Sequence, residues 1–141
     1  MPTLATLIKV AQTRLDEQRH VVARMAERVD SLEKALAANH AQQVREGQAA
    51  AQDPGGALTY GAFLRRAIDE AQALEEQRRK ALEAFDLAHA KLTELFEEQK
   101  RYEVAERNRL GLERRKQDRR ESATLDELGQ TTFLRARDEQ S

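Results

Sequence analysis

Ten positions in the first third of the chain, apolar at all but Gln18, recur in a 4-3 alternation that never slips: Leu4, Ile8, Ala11, Leu15, Gln18, Val22, Met25, Val29, Leu32 and Leu36. That spacing averages about 3.5 residues, the period of a coiled-coil seam rather than the wider stripe of a globular helix. A second series runs Tyr60, Leu64, Ala67, Ala71, Leu74, Arg78, Ala81, Phe85, Ala88, Leu92, Leu95, Gln99 and Tyr102. Between them stands Asp53-Pro54-Gly55-Gly56, the strongest helix breaker in the sequence. The pattern predicts an all-α fold: a long antiparallel two-helix coiled coil, or helical hairpin, with an overhanging C-terminal helix.

One helix is expected over about 2–46, since Pro2 is well tolerated in a first turn. Gly47 reads as fraying ahead of a loop over about 47–58, and Thr59 as the N-cap of the second helix. That helix is expected over about 59–122 or longer, with Gly111 bending it and a C-terminal tail over about 123–141. A fold point near Asp53 sets Ala11 opposite Leu92 and Leu95, and Ala88 opposite Leu15 and Gln18. Small residues then meet large ones, as interdigitating layers require. The polar seam residues Gln18, Arg78 and Gln99 cost stability but help to fix register. Residues beyond about 103 have no counterpart in the first helix.

Composition narrows the function classes. Charged residues make up 35% of the chain and aromatics 4%, without Trp or Cys. Helices sharing a thin seam have this profile, and they enclose no apolar pocket for a small molecule. His20, His40 and His89 lack the spacing of a zinc site, and Gly55-Gly56 is not followed by the Lys-Ser/Thr of a phosphate loop. No catalytic residue, metal ligand or cofactor site is expected, and the chain reads as non-enzymatic. The longest run free of Asp, Glu, Lys and Arg is Pro54–Leu64, too short for a membrane span of about twenty residues. The N-terminus lacks the basic start of a signal peptide, so a cytoplasmic location is expected.

Charge is unevenly divided. Lys100–Arg120 holds nine basic and four acidic residues, a local net of +5, whereas the following residues to 141 hold five acidic and two basic ones. Leu110, Leu112, Leu125, Leu128, Phe133 and Leu134 punctuate this region with no surface of their own chain to cover them. A basic helix with apolar anchors is a partner-binding element; its plainer reading is a solvated face held by pairs such as Glu106 with Arg109. Nucleic acid is disfavoured because no aromatic platform interleaves the arginines, and a membrane-surface helix because the apolar face is too weak.

Three features together resemble the FliJ family of the flagellar type III export apparatus. They are Leu4-x-x-Leu7-Ile8-Lys9-Val10 with Asp16-Glu17-Gln18-Arg19, Tyr60-x-x-Phe63-Leu64, and Glu121 leading to Leu125-Asp126-Glu127 and Phe133. In the last, Ser122-Ala123-Thr124 stands where the family usually has Gln-Lys. The resemblance implies a stalk-like coupling protein at the cytoplasmic face of the inner membrane, held there only through its partners. It implies binding to the hexameric export ATPase (FliI-like) through the C-terminal helix, for which Arg107, Arg109, Leu110, Arg114, Arg115 and Arg119 are the candidate residues. It implies contact with the export gate protein (FlhA-like) through Tyr60, Phe63, Leu64 and Ala67, although Tyr60, Leu64 and Ala67 are also seam positions. Export chaperones are a further partner class. The alternatives are the equivalent stalk of a virulence-type secretion system, and a generic coiled-coil scaffold or export chaperone.

Overall fold

The computed structural model describes residues 1–140 and consists of two helices, α1 (Leu4–Ala51) and α2 (Gly56–Glu139). Thr3 caps α1: its hydroxyl accepts the Thr6 N–H at 3.2 Å and its carbonyl accepts the Leu7 N–H at 3.1 Å. The side chain thus satisfies the orphan amide donor of Thr6, and the Leu7 bond is the first of the helix.

The turn is tighter than the sequence suggests. Helix α1 continues past the expected end near 46 to Ala51, through an Ala- and Gln-rich stretch of high helix propensity. Gly47 does not mark fraying. It sits inside α1, where an added Cβ would lie 3.0 Å from the Tyr60 hydroxyl, so the missing side chain makes room for that ring. The last turn narrows through i→i+3 bonds, with Gln52 N–H donating to Ala49 and Asp53 N–H to Ala50. Asp53, rather than Thr59, then starts α2: its carboxylate accepts the Gly55 N–H at 3.1 Å and its carbonyl the Gly56 N–H at 3.0 Å. Pro54 follows the cap, where its missing N–H costs nothing. Gly56 is required for space rather than for an unusual backbone, because a Cβ there would stand 3.3 Å from the Ala50 backbone and its φ is not positive. Thr59 lies within the helix.

The chain forms two units, Ala11–Glu97 and Met1–Val10 with the residues from Glu98 on. In the first, α1 and α2 run antiparallel along the seam. Its buried apolar residues are Ala11, Leu15, Leu32, Ala67, Ala88 and Leu95, and every other seam position there is at least half-buried. Two bonds across the seam set the register. Gln18 Nε2 donates to the Ala88 carbonyl at 2.8 Å, and Asn39 Nδ2 to the Ala67 carbonyl at 3.1 Å. Gln18 and Asn39 are three heptads apart in α1, as are Ala67 and Ala88 in α2. Each amide therefore sits opposite a residue small enough to expose its carbonyl. Asn39 is only 8% exposed, and its oxygen accepts Gln43 Nε2 at 2.7 Å. Arg78 escapes the seam by reaching outward to Glu33 across the helices at 3.3 Å and to Glu75 at 3.1 Å. Among the described residues no buried side-chain polar atom lacks a partner.

This arrangement penalises slippage. Moving α2 by one heptad would set Asn39 against Tyr60 or Leu74 and bury its amide without an acceptor, a penalty of about 1–3 kcal/mol. Asn39→Ala removes the bond to Ala67 and the one that Asn39 accepts from Gln43, and leaves the Ala67 carbonyl as a helix acceptor. It should lower stability by about 1 kcal/mol. Urea denaturation will show this as a lower midpoint with an unchanged slope; an unchanged midpoint would mean that these bonds contribute nothing net.

In the second unit Leu4, Leu7 and Ile8 of α1 are half-buried, as are Glu98, Gln99 and Tyr102 of α2. Helical geometry does not stop at 122: the residues expected as a tail continue as helix to Glu139. From Leu112 to Gln140 every residue is exposed.

Candidate functional site

The terminal stretch of α2 is an isolated helix whose charges are only partly paired. Arg109 is held by its own helix, with Nη2 and Nε on the Glu106 carboxylate at 2.7 and 3.1 Å and Nη1 on Glu113 at 3.0 Å. Hydrogen bonding from Arg109 holds the Glu106 carboxyl below its usual range, and Glu106 in turn raises the guanidinium. Arg109 thus matches the plainer reading of an internally paired surface residue.

Its neighbours differ. Among the described residues, the side chains of Arg107, Arg114, Arg115 and Arg119 make no ion pair. Arg115 and Arg119 are four apart on the helix, as are Lys116 and Arg120, and such like-charge pairs destabilise a helix. The segment is therefore self-repelling, and an acidic surface laid along it would relieve that repulsion. Leu110 is 51% exposed beside this run. Gly111 interrupts it with nothing within 4 Å of a would-be Cβ, so Gly111→Ala should stabilise the exposed helix by about 1 kcal/mol. Hydrogen exchange of the amides flanking residue 111 should slow in that variant; unchanged exchange would mean that the glycine does not limit local order.

The other candidate residues lie in the first unit, near the hairpin turn. Tyr60 stacks on Phe63 with ring centroids 6.5 Å apart and 28° between planes, while its hydroxyl end abuts Gly47. Tyr60, Phe63 and Leu64 are half-buried, and Ala67 is 6% exposed beneath Asn39. Ala67 therefore offers almost no surface itself. Phe63 lies beside the seam and lines an open groove with Gln42, Glu46, Tyr60 and Arg66. The groove continues past Phe63 and Arg66 to Glu70. Reading the seam alone passes over Gln42, Glu46 and Arg66. The signal was present, since Phe63, Arg66 and Glu70 each precede a seam residue, Leu64, Ala67 and Ala71.

The structure thus holds the two residue sets in separate units, the arginines in one and the Tyr60–Phe63 pair in the other. Among the described residues no group of three His, Cys, Asp or Glu side chains could hold a metal, and no helix is long and apolar enough to cross a membrane.

No curated protein and no solved structure matches the chain. A family model described as "Flagellar FliJ protein" matches residues 3–138. The match takes in the opening Leu7-Ile8 segment, the Tyr60–Leu64 turn and Leu125-Asp126-Glu127 in one span. With nearly its whole length accounted for in this way, the chain belongs to the flagellar FliJ protein family.

Proposed function

We propose that this FliJ-family chain, a flagellar export-related component, is a non-enzymatic stalk that couples the hexameric export ATPase to the export gate. The observation that carries this reading is the exposed terminal part of α2, helical to Glu139 and carrying Arg114, Arg115 and Arg119 without partners. A bare helix is slender enough to enter the opening of a ring, where a packed domain is not. Binding there can act only by differential contact: arginines that meet acidic groups in one state of the hexamer shift its population toward that state. Phe63 and its groove, in the other unit, are assigned to the gate together with Tyr60, Leu64 and Ala67, and Tyr60 stacks on Phe63.

The test is the ATP hydrolysis rate of the cognate flagellar export ATPase, alone, with the full chain, and with a chain ending at residue 103. Residues 1–103 retain both sides of the seam. Stimulation by the full chain that disappears with the shorter one is the expected result. An active ATPase indifferent to both forms would remove the stalk reading and leave a scaffold or export chaperone acting through the hairpin.

A further inference from the structure

Apolar packing alone does not tell one register of this hairpin from the next. Contact between apolar side chains is non-directional, and the seam repeats along both helices, so a slid pair would again bring seam residues together. The two amides on the seam are directional. Gln18 Nε2 donates to the Ala88 carbonyl at 2.8 Å and Asn39 Nδ2 to the Ala67 carbonyl at 3.1 Å. Each needs a small residue opposite, because a longer side chain would cover the carbonyl behind it. A half-heptad shift offers Asn39 and Gln18 the pair Ala71 and Leu92 in one direction, and Leu64 and Phe85 in the other. A full heptad offers them Leu74 and Leu95, or Tyr60 and Ala81. Of these registers and the observed one, only the observed one gives both amides an alanine.

The two bonds also stand where the seam is driest. Buried Ala11, Leu15 and Leu95 lie within two turns of the Gln18 bond, and buried Leu32 within two turns of Asn39, itself 8% exposed. Between them the seam positions from Val22 to Val29 and from Ala71 to Phe85 are only half-buried, and Arg78 turns outward to Glu33 and Glu75. An amide left without an acceptor is penalised most where water is excluded. We propose that Gln18 and Asn39 form a two-point lock that makes the hairpin a strut of fixed length. A contact at the Phe63 groove then reaches the Ala11 and Leu95 end by movement of α1 and α2 as one body, without one helix sliding along the other. The lock belongs to the Ala11–Glu97 unit, so it holds whatever the terminal stretch of α2 binds.

Distances between two spin labels test this. His20 and Arg65 are exposed and lie on different helices of that unit. The chain has no cysteine of its own, so His20→Cys and Arg65→Cys each take one nitroxide. Pulsed electron spin resonance of the full chain should give one distance, unchanged when the cognate export ATPase and ATP are added. Gln18→Ala with Asn39→Ala removes both directional bonds and leaves small side chains that accept large residues opposite. A second distance should then appear, displaced by about 5 or 10 Å, the rise of half or a whole heptad. Helix content by circular dichroism should be unchanged, which separates sliding from unfolding. A second distance in the native seam, free or with the ATPase turning over, would overturn the proposal. So would a single unshifted distance in the double variant, which would place the register in the Asp53–Gly56 turn. Loss of helix content in that variant would also overturn it, since the amides would then hold the hairpin together rather than choose its register.

Discussion

Replacing Arg107, Arg114, Arg115 and Arg119 together by glutamate is expected to return the export ATPase to the rate it has alone. These arginines form no ion pair within the described chain, so their charge is available to a partner. Each exposed charge contact is individually weak, but reversal replaces attraction by repulsion, and four together should weaken binding by about ten- to a thousandfold. The hairpin should remain folded, because none of the four lies on the seam and all are exposed. Arg109→Glu provides the contrast. That guanidinium is already engaged with Glu106 and Glu113, so its replacement should disturb the helix locally and stimulate nearly as well as the native chain. Higher salt should weaken stimulation by the native chain, as expected for exposed charges. Full stimulation by the quadruple variant would remove these residues from the contact and turn attention to Leu110 and the apolar positions beyond it.

Leu15→Ala should be among the most destabilising substitutions in the molecule, at about 2–4 kcal/mol. Leu15 is 2% exposed, and the buried apolar residues among the described ones are three leucines and three alanines. A thin seam has no second layer to collapse into the space left behind, so the loss of one leucine is poorly compensated. The register bond from Gln18 to Ala88 lies one turn away and should loosen with it. Thermal unfolding followed by circular dichroism measures the effect. Leu87→Ala is the matched control: Leu87 is 74% exposed, and its truncation should change stability by no more than about 0.5 kcal/mol. Equal effects of the two substitutions would mean that this pairing of α1 with α2 is wrong.

Stimulation and stability test different parts of the chain, and these parts differed in how plainly the sequence announced them. The basic run and its local net of +5 were visible at once. Which arginines are free was not, because that depends on rotamers: Arg109 reaches both Glu106 and Glu113, whereas Arg114 makes no bond to Asp118 although the spacing allows one. The same holds at the turn. Tyr60 and Phe63 could be singled out from their pattern, but the groove that Phe63 shares with Gln42 and Arg66 exists only once α1 and α2 lie side by side.

Periodicity is a local property, and it determined a great deal alone. The two seams, the hairpin, and the pairing of Gln18 with Ala88 follow from spacing and from the Asp53-Pro54 breaker, since only one face of each helix can leave water. Tertiary structure decided the rest. Gly47 reads as a breaker in isolation, yet it lies inside α1, where its empty side-chain space accommodates Tyr60 from the opposite helix. Asn39 is a polar residue, yet it is buried because the Ala67 carbonyl lies within reach of its amide. In each case the deciding partner is distant in sequence and becomes a neighbour only when the hairpin closes.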